Sequence, residues 1–119
     1  MKAIRNAYNF NISIWEKNIE EKNKEKEKNR LKILENSIRI LKDYFKDKNV
    51  INAFLAGSIL KENKFYQFSD IDIVVKGLKE DYFKTKSELE NLLDRDVDII
   101  EIEESKFGDS ILKNGIQIK

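Results

Sequence analysis

Apolar positions are spread unevenly along the chain, and their spacing divides it into segments of different character. Glu16 to Arg30 reads EKNIEEKNKEKEKNR, with Ile19 as its only apolar side chain. Such a run predicts a helix solvated all round and supported by pairs such as Glu20–Lys24 and Glu27–Arg30. It is either a plain exposed element or one that reaches out to a partner. From Leu31 the pattern turns amphipathic: Leu31, Leu34, Ile38, Leu41 and Phe45 recur at three- and four-residue steps, widened by Ile33 and Tyr44. One long helix to about Lys48 follows, docked through its C-terminal half. The first fifteen residues mix Asn with scattered aromatic and aliphatic side chains and support no firm assignment.

Beyond the helix the period changes to that of short strands. Val50–Ala56 (VINAFLA) reads as a buried strand ended by Gly57, with a brief helix over Ile59–Asn63. Asp70–Val75 (DIDIVV) is a second strand closed by Gly77, and Val97–Ile102 (VDIIEI) is a third. Between them Asp81–Leu93 carries Tyr82, Phe83, Leu89, Leu92 and Leu93 at helical spacing, with Asp81 as N-cap. A short helix around Ser110–Asn114 leads to an edge strand in IQIK. Residues 1–30 form an extension and exposed charged helix, and residues 31–119 form one domain.

Composition narrows the chemistry. Charged residues make up 38% of the 119, yet 23 Lys+Arg against 22 Asp+Glu leave a net charge of only +1, too little for a global field that would hold nucleic acid or an anionic membrane. The chain contains neither Cys nor His, which removes disulfides, thiol nucleophiles, histidine bases and most transition-metal sites. Metal chemistry must rest on oxygen ligands, which favours Mg²⁺, Mn²⁺ or Ca²⁺. No membrane span or signal peptide is legible, so a cytoplasmic location is expected.

The carboxylates then acquire a geometry. Asp70 and Asp72 alternate on one face of their strand, about 6.5–7 Å apart. Val74 continues that face inward, and the third strand repeats the design with Asp98 followed by Ile100 and Ile102. If Gly57-Ser58 at the end of the first strand serves the same site, the first and second strands run antiparallel and the second and third parallel. Three gathered carboxylates need protonation or divalent cations to relieve their repulsion, and a pair of Mg²⁺ ions clamping an in-line phosphoryl or nucleotidyl displacement fits them, with Mn²⁺ able to substitute. Gly57 lets the backbone approach a phosphate, Ser58 offers an N–H and a hydroxyl, and Lys61 offers a cation one turn later. Asp96 shares the face of Asp98 and is its rival as third ligand, but Asp98, flanked by Val97 and Ile99, fits a strand better. Ser69 reads as a local backbone cap.

FLAGS, SDIDIVVKGL, VDIIEIEE and ILKNGIQIK together resemble the minimal nucleotidyltransferases of the DNA polymerase beta-type superfamily, over roughly Leu31 to Lys119. The resemblance implies an α/β (α+β) fold, a small mixed sheet packed by helices, with the long charged N-terminal helix that some members carry. It implies that Gly57 and Ser58 hold the nucleotide triphosphate, that Asp70 and Asp72 bind both metals, and that Asp98 completes the metal at the acceptor hydroxyl. It further implies an antitoxin that transfers AMP from ATP to a tyrosine of a HEPN-type RNase toxin. Two departures stand out: Ile59-Leu60-Lys61-Glu62 replaces the family's x-x-Arg-Gly, so Lys61 keeps a charge but loses the bidentate fork, and Glu62 adds a negative one. A non-catalytic antitoxin that masks its partner, and a transferase for small-molecule hydroxyls, are the competing readings. A role on nucleic acid is disfavoured.

Overall fold

Proline is absent and the first glycine is Gly57, so nothing interrupts a helix built from Lys, Glu and aliphatic residues. The computed structural model describes residues 2–102 and 113–119, with side chains described from residue 13 onward. In it α1 (Lys2–Lys46) is a single helix that takes in residues 2–15 as well as the charged run. Its end is closed from outside: the Lys119 ammonium donates to the carbonyls of Phe45 at 2.9 Å and Lys48 at 2.7 Å, a cation where the terminal carbonyls need donors.

Four strands follow, β1 (Asn52–Ala56), β2 (Ile71–Lys76), β3 (Val97–Glu101) and β4 (Ile116–Gln117), in the order β3-β2-β1-β4. β1 pairs antiparallel with β2 and with β4, whereas β2 and β3 run parallel, connected through α2 (Tyr82–Leu93). This is the mixed sheet and the strand orientation expected from the carboxylate placement. IQIK supplies the edge strand, and Asp81 caps α2 by accepting from the Lys84 N–H at 2.8 Å. The helix expected around Ser110–Asn114 lies largely outside the described residues.

Both helices cover one face of the sheet. Leu41 and Phe45 of α1 and Leu89 of α2 pack against Ala53, Leu55, Ile71, Ile73, Val97 and Ile99, with Ile33, Leu34, Ile38 and Tyr44 at the margin. The stripe differs from the expected one in two ways. Leu31 is 52% exposed while its neighbour Arg30 is buried, and in α2 Phe83 and Leu92 face outward while Thr85 is buried. Thr85 is admitted because its hydroxyl donates to the Asp81 carbonyl at 2.8 Å, which removes the cost of burying it. On the other face, Phe54, Ala56, Val74, Ile100 and Ile102 form a second, smaller apolar layer, and the carboxylates stand at its end.

Candidate active site

β1 ends at Ala56, and Gly57 turns the chain with φ 85° and ψ −157°, a combination open in practice only to glycine. A Cβ built there would lie 2.8 Å from Cγ of Asp72 and would overlap its Oδ2. The sequence assigns this glycine to a close approach by phosphate. The structure adds a nearer reason: the space beside Gly57 is taken by the Asp72 carboxylate. Ser58 opens a 3₁₀ turn (Ser58–Leu60) that Ile59 anchors in the core, and the Lys61 N–H donates to the Ser58 carbonyl at 3.0 Å. This short turn replaces the helix expected over Ile59–Asn63, and Lys61 is exposed at its end.

Asp72 sits in the middle of the site, opposite Ala56 on β1 and opposite Asp98 on β3. Asp70 lies one residue before β2 rather than within it, where the Ile71 N–H donates to the Asp96 carbonyl at 3.0 Å. Asp70 and Asp98 are exposed and Asp72 is half-buried. Burial first, then the charges of Asp98 and Asp70, push the Asp72 carboxyl above its ordinary value of 3.8. Asp96 is not among the charges that act on Asp72.

The donor set fits a hard divalent cation: it is all oxygen, it is partly open, and its central carboxylate carries a charge that its neighbours penalise. Among the described residues no three acidic side chains already stand in coordinating geometry about one point. The strand register and the mutual repulsion nevertheless put all three in one neighbourhood, Asp72 and Asp98 about a strand spacing apart and Asp70 two residues along from Asp72, and the register is set by backbone pairing rather than by rotamers. The carboxylates are therefore arrayed rather than caged.

Several supports of this array were not legible in the sequence, although the Glu27–Arg30 pair itself was expected on α1 and is present. Arg30, in the run read as solvated, is buried, donates to the Ile59 carbonyl at 2.9 Å and pairs with Glu27 at 2.9 Å. Glu27 in turn accepts from the Asn63 N–H at 2.8 Å, so the two side chains tie α1 to both ends of the loop after Ser58. The hydrogen bonds from Arg30 and from Asn63 hold the Glu27 carboxyl below its usual range. Arg95 donates to the carbonyl of Ser69, next to Asp70, at 2.8 Å. Ser69 is the local cap expected, its Oγ accepting from the Tyr66 N–H at 2.8 Å. One signal was available, since Arg30 is the only arginine in a run otherwise supplied by lysine.

A groove of about 540 Å³ lies away from the carboxylates, between α1 and the loop before β2, lined by Lys22, Lys26, Ile33, Phe65, Tyr66 and Arg95 among others. It contains none of Asp70, Asp72 and Asp98, and its single carboxylate, Glu25, stands among Lys22, Lys26, Arg30, Lys32 and Arg95, so the gathered carboxylates are the better candidate for a divalent cation.

Residues 35–119 match the family model described as polymerase beta, nucleotidyltransferase. A search of curated proteins gave no match. Among solved structures, a toxin–antitoxin with AMP-PNP is similar at 21% identity and a TM-score of 0.57, covering 69% of this chain and 72% of that one. A mutant MntA-HpeT toxin–antitoxin is similar at 20% identity and a TM-score of 0.50, covering 63% of this chain and 66% of that one, just under two thirds of its length. At such identities the likeness is one of fold. With the family model spanning most of the chain, including β1 to β4 and the Gly57 turn, this protein belongs to the polymerase beta-type nucleotidyltransferase family.

Proposed function

We propose that this chain is an antitoxin that transfers a nucleoside monophosphate, AMP from ATP, to a hydroxyl of a partner protein, with a tyrosine of a HEPN-type toxin as acceptor. The observation that carries the reading is the placement of Asp72 across from Asp98, one alternation from Asp70 and against Gly57. Asp70 and Asp72 would hold two divalent cations, Mg²⁺ or Mn²⁺, and Asp98 would complete the one at the acceptor. Such a pair, when bound, lowers the pKa of the acceptor hydroxyl and neutralises the leaving pyrophosphate.

The chain's own groups do the rest. Gly57 keeps the Asp72 carboxylate at the turn, Ser58 offers its hydroxyl to the triphosphate, and Lys61 adds a positive charge at the end of the same turn. The acceptor oxygen forms a bond to the α-phosphorus as the bond from that phosphorus to the bridging oxygen breaks, and the hydroxyl proton leaves for the surrounding carboxylates and water. The toxin–antitoxin relatives, one of them with AMP-PNP, support both the nucleotide and the protein partner.

A second reading is favoured by Glu62, which adds a negative charge beside the turn that would hold phosphate: the chain neutralises its partner by masking alone. An Asp70→Asn/Asp72→Asn double variant separates the two. Transfer predicts that the variant still binds the partner but no longer neutralises it on co-expression. Full neutralisation by the variant would establish masking.

A further inference from the structure

Resting on that reading, we infer that the groove beside α1, continued along the projecting part of the same helix, is the docking surface for the acceptor protein, and that its occupant is an amphipathic helix bearing acidic and apolar residues. Trp15, Ile19, Lys22 and Lys26 recur at steps of four, three and four, and Ile33 follows seven residues later. All five therefore fall on one side of α1. Lys22, Lys26 and Ile33 line the groove. Trp15, 64% exposed, and Ile19 carry the same side out past the domain.

The groove is built rather than incidental. The Lys26 ammonium sits 3.7 Å above the Tyr66 ring, and the Arg95 guanidinium sits 4.6 Å from the Phe65 ring. Arg95 donates to the neutral carbonyls of Tyr66 and Ser69, and among the described residues no carboxylate lies within ion-pair distance of it. Arg95 and Gln67 also line an adjoining cleft with Phe68, 89% exposed, and with Asp96, two residues before Asp98. The surface thus leads from Trp15 along the lysines to the edge of the carboxylate array. A partner laid along it would bring a hydroxyl to the reacting end.

Charge selects the occupant. α1 carries twelve Lys+Arg and seven Asp+Glu, a net of +5, against +1 for the whole chain. A second copy of this helix would meet like charge, whereas a helix bearing Asp and Glu is attracted, and its apolar residues match Phe65, Ile33, Ile19 and Trp15. Nucleic acid fits less well, because the groove carries apolar side chains, Ile33 and Phe65, that match the apolar residues of a helix, and the chain as a whole has a net charge of only +1.

Trp15 is the only tryptophan and reports on this surface directly. The experiment titrates the purified product of the reading frame adjacent to this chain's gene into the full chain, following Trp15 emission and its quenching by acrylamide. Docking predicts a blue shift and loss of quenching on complex formation, and at least a tenfold weaker complex for Lys22→Glu/Lys26→Glu, eased in that variant by added salt. Mg²⁺·ATP binding, measured by calorimetry, should be unchanged in that variant. Complex formation that leaves Trp15 emission untouched, no complex with that protein, an emission shift on self-association, or an equal shift with an RNA oligonucleotide would each overturn the assignment. Failure of the catalytic reading shows separately, as absence of Mg²⁺·ATP binding in a chain that still docks.

Discussion

At Gly57 the backbone and the packing make the same demand: a left-handed φ of 85° and no Cβ beside the Asp72 carboxylate. Gly57→Ala should cost about 1–3 kcal/mol through the strained backbone. It should also displace Asp72, so that thermal denaturation shows a Tm lower by several degrees and Mg²⁺·nucleotide binding falls with it. Asp72 is the complementary case. Its carboxyl is raised by burial and by Asp98 and Asp70, so its contribution to stability is fully present below the unfolded value and is lost as pH rises through the folded one. Asp72→Asn should therefore stabilise the metal-free protein at pH 7, with the gain vanishing below about pH 4, and should abolish the rise in Tm given by Mg²⁺·ATP. A variant less stable than wild type at neutral pH without metal would contradict this. The carboxylates were legible because strand alternation alone fixes which of them share a face. What Gly57 makes room for was not, because a contact between β1 and β2 across Ala56–Asp72 has no trace in either local pattern.

Among the elements, α1 was read correctly as helical and amphipathic, but the point where it meets the domain was misplaced. The stripe predicts docking from Leu31, whereas Arg30 makes a buried contact one residue earlier, Glu27 reaches Asn63 before it, and Leu31 is exposed. Hydrophobic periodicity cannot find a buried arginine whose partner is a backbone carbonyl in a loop about thirty residues later. Arg30→Met should leave the Ile59 carbonyl unpaired at a cost of about 1–3 kcal/mol. Because that carbonyl belongs to the turn carrying Ser58, the KM for nucleotide should rise more than kcat falls. Equal effects on both would indicate that Arg30 acts on the reaction rather than on the turn. In α2 the apolar count also overreached: Phe83 and Leu92 fit the period but stand outward, while Thr85 and Leu89 occupy the buried side.

As a whole the molecule is elongated, with extents of 71 × 29 × 20 Å and a radius of gyration of 19.8 Å, against about 13–14 Å for a compact chain of this length. The long axis matches a helix of 45 residues at 1.5 Å each. Amide exchange should grade along α1, slowest between Arg30 and Phe45 where it packs on the sheet and fast through the charged run before Lys22 in the free chain. Uniform slow exchange along the helix would mean that its projecting part is already covered. The strand directions were legible from the demand that Gly57-Ser58 and three aspartates meet, whereas the place of β4 beside β1 was not. The reach of the helix was not, since the mixed composition before Glu16 gives no period to follow. The measurement that bears most directly on the account is transfer of label from α-³²P-ATP to the purified partner. Label on the partner that requires Mg²⁺ or Mn²⁺ and disappears with Asp72→Asn is the predicted result, and a partner that stays unlabelled with divalent metal present, or is labelled equally by Asp72→Asn, would contradict it.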